Sequence, residues 1–391
     1  MAVFAVIAEY NPFHNGHAHQ IQSIKDSGEH TVVVVMSPNV VQRGDFAVLD
    51  KWTRASAALS CGADLVLELP SSFALGGAER FAYGAVKILD SLGCVDFLSF
   101  GSESGNLNKL KNAAKLVDDP KILEKTKEFL KEGMTFAKAR SLAVEEIDKE
   151  AAAVLNAPND ILGVEYIRQI EKLTSNMQPS PILRKGSGHE SLSPIGEFAS
   201  ASFLRQNFTE QSLEQYTPKP ALELYKKAID EGNISKGISA LEDALLLKLR
   251  LKTKEEISCL PDVSEGLENR IIRAAKEAKS IDELCELIKT KRYTMARIRR
   301  ILMYSLLDFS KQDEDIEPCF IRVLAHNKKG LEVLSKKTAT LPVITSLARA
   351  REISKDAERL SEIEEKCTAA FELTLKSRSA KNEFTTQPIR K

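Results

Sequence analysis

MAVFAVIAEYNPFHNGHAHQ, residues 1–20, is the segment from which the fold prediction starts. Residues 2–8 form a nearly continuous apolar run, which is typical of a strand buried on both faces of a sheet. A polar turn follows, and then a segment of helical length, about residues 15–27, that ends near Gly28. A strand, a short loop and a helix in this order predict the first unit of a parallel α/β sheet.

The same alternation continues through the first hundred residues. Further strands are predicted at residues 31–36 (TVVVVM), 63–70 (ADLVLELP) and 95–103 (VDFLSFGSE), and helices at about 51–60 and 77–91 precede the last two. We therefore predict a Rossmann-like, doubly wound parallel sheet. Ligands of such sheets bind outside the carboxyl ends of the strands, so the loop after the first strand is expected to border a binding site.

Beyond residue 105 the pattern becomes helical. Residues 174–196 are rich in Ser, Pro and Gly, and they predict a strand and a loop that return to the first domain. After ASASFLRQ at 199–206, almost every segment looks helical up to a polar tail. We predict an α/β domain at 1–205, a helical domain at 206–376 and a disordered tail at 377–391.

Composition excludes several classes of protein. Lys+Arg and Asp+Glu both number 55, so net charge points to no partner. The six cysteines include no CxxC pair, which favours reduced thiols over disulfides or a zinc site. No apolar run approaches the roughly 20 residues needed to span a bilayer, and Glu9 interrupts the apolar start. A cytoplasmic protein without a membrane partner is expected, and the oligomeric state is left open.

The motif NPFHNGH suits an anion at the start of a helix. Asn11 is expected to cap the helix and Pro12 to occupy its first turn, which leaves free N–H groups facing a ligand. Gly16 is expected to let a nucleotide approach the backbone. His14 and His17 can donate hydrogen bonds to phosphate oxygens during in-line attack on an α-phosphorus. Metal binding by the two histidines is disfavoured because no third ligand is apparent, so no metal site is predicted.

A basic stretch lies in the helical half of the chain. KTKRYTMARIRR at residues 289–300 has six Lys or Arg residues, a tyrosine and no acid. Such a segment is a candidate for contact with a nucleic-acid backbone. A solvated helix face is the alternative interpretation.

Two motifs resemble those of the HIGH-motif nucleotidyltransferase superfamily. HxGH follows the first strand, as it does in that group. ASASFLRQ is similar to the ISSTxIR form of its phosphate-clamping loop, with Ser200 and Ser202 at a helix start and Arg205 one turn on. Serine hydroxyls, helix N–H groups and a guanidinium together suit a triphosphate.

Longer stretches resemble the tRNA(Met) cytidine acetate ligase family. They are AEYNPFHNGH, VVQRGDFAVLDKWTRASAALSCGADLVLELP, FGSE, PNDILGVEYIR, TKRYTMARIRRIL and FIRVLAHNKKG, which together run from residue 8 to about 330. The resemblance implies that ATP and acetate form acetyl-adenylate, and that the acetyl group passes to N4 of the wobble cytidine of elongator tRNA(Met). DNA is not an implied partner, and Mg²⁺ is expected to accompany ATP.

The resemblance also implies functional residues. The catalytic pair is His14 and His17. The implied ATP-binding residues are Ile7, Ala8, Glu9, Tyr10, Asn11, Pro12, Phe13, His14, Asn15, Gly16, His17, Gln20, Gly101, Asn159, Arg184, Ser200, Ser202 and Arg205. With the resemblance beside the basic stretch, the expected RNA-binding residues are Arg292, Tyr293, Arg297, Arg299 and Arg300.

Two other functions remain open at this point. An adenylyltransferase for a small phosphate such as nicotinate mononucleotide or phosphopantetheine would use the same motifs. A non-catalytic RNA-binding protein on a relic fold is the third possibility.

The proton acceptor for the attacking amine is not identified either, since Glu9, Asp45 and Glu103 all lie in stretches expected to border the site.

Overall fold

The structure is a computed structural model of the 391-residue chain, and it describes residues 1–184, 194, 196–264, 266–379 and 382–391. Residues 185–193, which belong to the loop predicted to return to the first domain, lie outside the described residues. Within the described part of the chain, no helix is both long enough and apolar enough to cross a membrane.

The centre of the fold is an eight-stranded, mostly parallel sheet. Its strands pair in the order β10–β8–β5–β2–β1–β6–β7, with β9 added beside β8, while β3 and β4 form a separate hairpin. The predicted fold class, a doubly wound sheet followed by a helical region, is confirmed. The strands are β1 (Val3–Ala8), β2 (Thr31–Met36), β3 (Val40–Val41), β4 (Asp45–Phe46), β5 (Leu65–Glu68), β6 (Phe97–Ser102), β7 (Gln178–Leu183), β8 (Ile321–His326), β9 (Val343–Ile344) and β10 (Ile389–Arg390).

Helices cover the sheet and fill the regions between strands. In chain order they are α1 (Asn15–Asp26), α2 (Lys51–Ser60), α3 (Ser71–Ala74), α4 (Ala78–Leu92), α5 (Leu107–Val117), α6 (Pro120–Lys131), α7 (Phe136–Glu145), α8 (Lys149–Val154), α9 (Pro158–Lys172), α10 (Ala201–Gln206), α11 (Glu210–Tyr216), α12 (Lys219–Asp230), α13 (Glu242–Leu251), α14 (Lys254–Ser258), α15 (Leu267–Glu277), α16 (Ile281–Ile288), α17 (Met295–Leu307), α18 (Lys328–Ser335) and α19 (Lys355–Leu373).

Both faces of the sheet are buried, as the apolar runs predict. Ala5 and Val33 belong to the apolar cluster on one face, while Val6 and Val34 belong to the cluster on the other. Ile301 of α17 lies in the first of these clusters, so helices after residue 206 share a core with the sheet. This shared core joins α17 to the α/β part of the chain.

The end of the chain departs from the sequence prediction. Residues after 206 are mostly helical, but β8 returns to the sheet and pairs antiparallel with β5. The expected disordered tail ends in β10, which pairs parallel with β8. The β-rich run FIRVLAH at 320–326 was a usable signal for β8. The pairing of β10 depends on a distant partner strand, which a local pattern does not encode.

A buried ionic network attaches the C-terminal segment to the sheet. Glu383 is 3% exposed. Its Oε2 accepts hydrogen bonds from Lys51 Nζ at 2.7 Å and from Arg322 Nη1 at 2.6 Å. Glu68 accepts from the same two cations. Because carboxylates and cations satisfy one another, the charges are tolerated away from water.

Candidate active site

A cavity of about 460 Å³ lies at the carboxyl ends of β1, β6 and β7. The first turns of α9 and α10, together with α4 and α17, complete its walls. Its volume is within the range of small-molecule sites. The implied ATP-binding residues that line it are Ile7, Ala8, Glu9, Tyr10, Asn11, His14, His17, Gln20, Gly101, Asn159, Arg184, Ser200, Ser202 and Arg205.

Four residues implied to bind ATP do not line this cavity, namely Pro12, Phe13, Asn15 and Gly16. Phe13 is fully buried, and its backbone N–H donates to Tyr225 Oη at 2.9 Å. Asn15 Nδ2 donates to the carbonyl of Glu197 at 2.9 Å. A Cβ on Gly16 would lie 2.9 Å from His14 Cε1. Gly16 therefore also leaves room for the His14 ring, and its expected role toward a nucleotide stays a prediction.

Asn11 does not cap α1, which corrects the sequence prediction. Its Oδ1 accepts from the backbone N–H of Val48 at 2.8 Å, and the N-cap of α1 is His14. The helix starts later than Pro12 because residues 11 and 12 form a turn. Asn11 instead joins the motif to the segment before α2.

The two histidines cap the helix reciprocally. His14 Nδ1 accepts from the backbone N–H of Gly16 at 3.1 Å, and His17 Nδ1 accepts from the backbone N–H of His14 at 3.2 Å. The rings stack with centroids 3.8 Å apart. Because each Nδ1 acts as an acceptor, the neutral form of each ring carries its proton on Nε2. Both histidines are thus set as Nε2–H donors.

Electrostatics hold His17 neutral before an anion binds. Burial lowers its pKa well below the usual value, and the neighbouring His14 and Arg184 lower it further. A polyphosphate placed beside these rings would reverse that effect, since a nearby negative charge favours the imidazolium. His17 is therefore a neutral donor in the free protein, and a bound phosphate would favour its protonated form.

The serine-rich loop meets the motif across the cavity. Ser200 caps α10 by accepting from the backbone N–H of Phe203 at 3.0 Å. Arg205 donates to Ser202 Oγ at 2.8 Å and to the carbonyl of Asn11 at 2.7 Å. Burial, with a contribution from Arg43, lowers the pKa of Arg205 to about 10. The serine-rich loop and the segment that contains HxGH thus line one cavity, and Arg205 is hydrogen-bonded to Asn11, three residues before His14.

A third group is organised at the start of α9. Glu103 accepts from both the backbone N–H and the side-chain amide of Asn159, and its other oxygen accepts from Asp160 N at 2.9 Å. Asn159 Oδ1 in turn accepts from Arg184 Nη1 at 3.3 Å. This chain orients Asn159 and Arg184 at the cavity wall. Gly101 lies close to the Arg184 side chain, since a Cβ at this position would be 3.2 Å from it.

The basic stretch does not form one solvated helix face. Thr294 caps α17, so Arg292 and Tyr293 precede the helix, and Tyr293 is buried. Arg297 lies over the Tyr293 ring and donates to the carbonyl of Asp262. Arg300 forms an ion pair with the Asp262 carboxylate at 2.8 Å.

Arg300 is also part of the cavity, and its neighbour Arg299 is partly buried. Arg300 lines the cavity. Arg299 Nε is buried with no hydrogen-bond partner in the described part of the chain. Gly44, in the turn of the β3–β4 hairpin, packs against the backbone of both arginines, because a Cβ there would lie 2.4 Å from Arg300 N.

Arg43 and Gln42 are among the cavity residues that were not identified from the sequence. Arg43 donates to Ser202 Oγ at 3.3 Å, and Gln42 precedes it in the β3–β4 hairpin. The segment VVQRGDF was recognised as part of a resemblance, but its basic residue had no motif that predicted a role. Only the folding of the hairpin over the carboxyl end of β1 brings these side chains to the cavity.

No group of three or more His, Cys, Asp or Glu residues in the described ranges is arranged to hold a metal ion. The cavity instead concentrates hydrogen-bond donors and cations. His14 and His17 lie on one wall, Ser202, Arg43 and Arg205 on a second, and Arg184 on a third. This arrangement can bind a polyphosphate and stabilise charge that develops on its oxygens.

The chain matches known proteins over nearly its full length. A family model described as HIGH Nucleotidyl Transferase matches residues 1–386. A tRNA(Met) cytidine acetate ligase from Thermoanaerobacter sp. (strain X514) is 43% identical over 365 residues, which cover 90% of both chains. One from Clostridium botulinum (strain Okra / Type B1) is 37% identical over 399 residues, covering 95% of this chain and 94% of the relative.

Two solved structures have a similar fold over the whole length of this chain. Thermotoga maritima TmcAL in its apo form is 33% identical, with a TM-score of 0.94 over 100% of this chain and 99% of that one. The same protein bound with alpha-thio ATP superposes with a TM-score of 0.91 at 32% identity and the same coverage. On these matches, the chain belongs to the tRNA(Met) cytidine acetate ligase family of HIGH nucleotidyl transferases.

Proposed function

We propose that this protein is an ATP-dependent ligase that activates acetate as acetyl-adenylate and transfers the acetyl group to N4 of the wobble cytidine of elongator tRNA(Met). The observation that carries the proposal is the single cavity in which His14, His17, Ser202 and Arg205 converge. The family supports the substrate assignment, and the neighbour that binds alpha-thio ATP supports ATP as the nucleotide.

Activation requires attack of an acetate oxygen on the α-phosphorus with loss of pyrophosphate. The Nε2–H groups of His14 and His17 donate to phosphate oxygens, which favours the transition state as charge shifts toward the leaving group. Arg205 and Ser202 hold the departing phosphates, and Arg205 is positioned by Asn11. None of these groups forms a covalent bond to substrate in this scheme.

Mg²⁺ is proposed to enter with ATP. A hard cation with few protein ligands typically takes phosphate oxygens and water as its remaining ligands, and the phosphates of ATP provide them. Bound in this way, it would neutralise phosphate charge. His14, His17 and Arg205 orient the phosphate groups of ATP.

The second half of the reaction needs the anticodon loop at the same cavity. A wobble base is reached when a single-stranded loop is splayed and held by stacking and basic contacts. The proposed RNA surface is formed by Arg292, Tyr293, Arg297, Arg299 and Arg300. Arg300 supports this placement because it belongs to both the basic stretch and the cavity lining. A tRNA-modifying role also fits the proposed cytoplasmic location, with all six cysteines free.

The experiment is to incubate the purified protein with ATP, labelled acetate and total tRNA, digest the RNA and look for labelled N4-acetylcytidine. Label in that nucleoside supports the proposal, and its absence refutes it. Pyrophosphate release driven by a phosphomonoester, with no label in RNA, would instead favour the small-molecule adenylyltransferase. Binding of tRNA without pyrophosphate release, with either acetate or a phosphomonoester, would instead favour a non-catalytic RNA-binding protein.

A further inference from the structure

The structure separates the three carboxylates that bordered the predicted site. Glu103 is fully engaged at the start of α9, where both of its oxygens accept hydrogen bonds. Asp45 accepts from the backbone N–H groups of Phe46 and Ile238 at 2.8 and 2.7 Å. Neither residue lines the cavity, so neither is placed to meet a substrate.

Glu9 is placed differently. It is half-buried, lines the cavity and follows β1 directly. Its Oε1 accepts from the backbone N–H of Gln42 at 2.8 Å. Among the described residues, Oε2 takes part in no hydrogen bond or ion pair. One oxygen thus fixes the carboxylate against the β3–β4 hairpin, and the other is left for a ligand.

The side chain of Gln42 adds a complementary group. It lines the same cavity, and its Nε2 is buried with no partner within the described residues. A buried amide donor without a partner is costly, so a ligand acceptor at this position would be favourable. This pair matches the Watson–Crick edge of cytosine. The Glu9 carboxylate can accept a hydrogen bond from the N4 amino group, as carboxylates do in protein–nucleic-acid complexes, and the Gln42 amide can donate to N3.

Two observations relate this pair to the proposed RNA surface, although the same hairpin also reaches Ser202 through Arg43. The β3–β4 hairpin, which carries Gln42, packs against α17 at Arg299 and Arg300. Gly101, Asn159 and Arg184 lie on the separate wall formed by β6, β7 and α9. Glu9 belongs to the ATP-binding set that the resemblance implies, but a carboxylate repels phosphate, so within that set Glu9 is poorly suited to hold the triphosphate.

We propose that Glu9 and Gln42 bind the Watson–Crick edge of the target cytosine, and that Glu9 accepts the N4 proton during acetyl transfer. This inference rests on the proposed function. The N4 lone pair attacks the carbonyl carbon of acetyl-adenylate, an N–C bond forms, and the C–O bond to phosphate breaks with the electron pair leaving on AMP. One N4 proton moves to Glu9 Oε2 and from there to solvent.

The test compares the two half-reactions in Glu9→Gln. The amide oxygen can still accept from Gln42 N, so the hairpin contact is kept, but no carboxylate remains to take a proton. Acetyl-adenylate is measured by trapping with hydroxylamine, which is nucleophilic enough to need no enzymic base. Trapping should still proceed in Glu9→Gln, and the trapping rate and the KM for ATP should change far less than the rate of transfer to tRNA. The rate of transfer to tRNA should fall by about 10²- to 10⁴-fold, the usual contribution of a positioned base.

Two further variants separate catalysis from positioning. Glu9→Asp should recover part of the transfer rate, because it restores a carboxylate on a shorter stem. Gln42→Leu should raise the KM for tRNA by about threefold to tenfold, as expected for one lost hydrogen bond, with the KM for ATP unchanged. Asp45→Asn is the matched control, a carboxylate on the same hairpin that does not line the cavity, and its transfer rate should match wild type.

Three outcomes would overturn the inference. Normal transfer by Glu9→Gln would remove Glu9 from the chemistry. A raised KM for ATP with slow trapping would show that Glu9 reads adenine, whose N6–H and N1 present a similar edge. Equal losses in Asp45→Asn and Glu9→Gln would indicate a structural effect of the hairpin. If wild-type protein yields no trapped acetyl group, the proposed function itself fails, and that result is distinct from all three.

Discussion

Replacing Glu383 with glutamine should strongly destabilise the fold, although the residue lies only eight positions before the last residue, in a segment expected from the sequence to be disordered. Its carboxylate accepts from Lys51, Arg322 and the Thr368 hydroxyl. Lys51 is 0% exposed and Arg322 is 1% exposed. The glutamine keeps the shape but removes the negative charge that these two buried cations share with Glu68.

The magnitude follows from the ionisation of Glu383. Burial opposes its charge, but Lys51 and Arg322 outweigh burial and lower the pKa from 4.5 to about 2. A shift of that size corresponds to about 3 kcal/mol at 1.36 kcal/mol for each pKa unit. Breaking a buried ion pair by removing one partner costs about 3–5 kcal/mol, which agrees. Because the pKa is lowered, this stabilisation is present above the usual carboxyl pKa and is lost as pH falls toward 2.

Urea denaturation at pH 7 measures the effect, with Glu364→Gln as the matched control. Burial, and then the neighbouring Glu68, raise the pKa of Glu364 to about 8. Glu364 is therefore mostly protonated at pH 7, and glutamine resembles the protonated acid. We expect Glu383→Gln to lose about 3 kcal/mol of unfolding free energy and Glu364→Gln to stay within about 1 kcal/mol of wild type. A loss below 1 kcal/mol for Glu383→Gln would refute the argument that this charge holds the segment.

The remaining predictions concern the active site. His17→Ala should abolish acetyl-adenylate formation, measured as acetate-dependent pyrophosphate release, and leave tRNA binding nearly intact; normal release would remove His17 from the mechanism. Burial and then nearby positive charge lower the pKa of His17, and bound ATP should raise it. ATP affinity measured by calorimetry should therefore be highest at acidic pH and weaken as pH rises through the pKa of His17 in the ATP complex. An affinity that does not change with pH would contradict this. Arg205→Lys should raise the KM for ATP about tenfold, since one ammonium cannot keep both guanidinium contacts, and an unchanged KM would contradict it. Replacing Arg297, Arg299 and Arg300 by Ala should weaken tRNA binding and flatten its salt dependence with acetate activation spared, whereas an unchanged salt slope in a binding titration would exclude them as phosphate contacts.

Local patterns were sufficient for the first half of the fold. Apolar runs predicted β1, β2, β5 and β6 because strands buried on both faces need such residues throughout. The HxGH motif directly after β1 was then enough to locate the cavity. A side chain that follows a parallel strand faces the edge where the carboxyl ends of the neighbouring strands also meet.

Contacts between distant segments were less predictable. Asn11 fits a helix cap by residue type, yet it bonds to Val48, and His14 takes the cap. β10 was missed because two residues carry no periodicity, and they become a strand only beside β8. Arg43 and Gln42 had no motif of their own and reach the cavity because their hairpin folds over β1.

The amino-acid sequence by itself determined the fold class, the strands and helices of the first hundred residues and the positions of the two motifs, because these depend on residues that are close together in the chain. The tertiary structure decided which of the three carboxylates lines the cavity, which arginines share it and how the C-terminal segment is held. Each of those outcomes depends on burial and on hydrogen bonds between segments that are far apart in sequence. The free energy of such a contact is set by its surroundings and not by the type of residue alone.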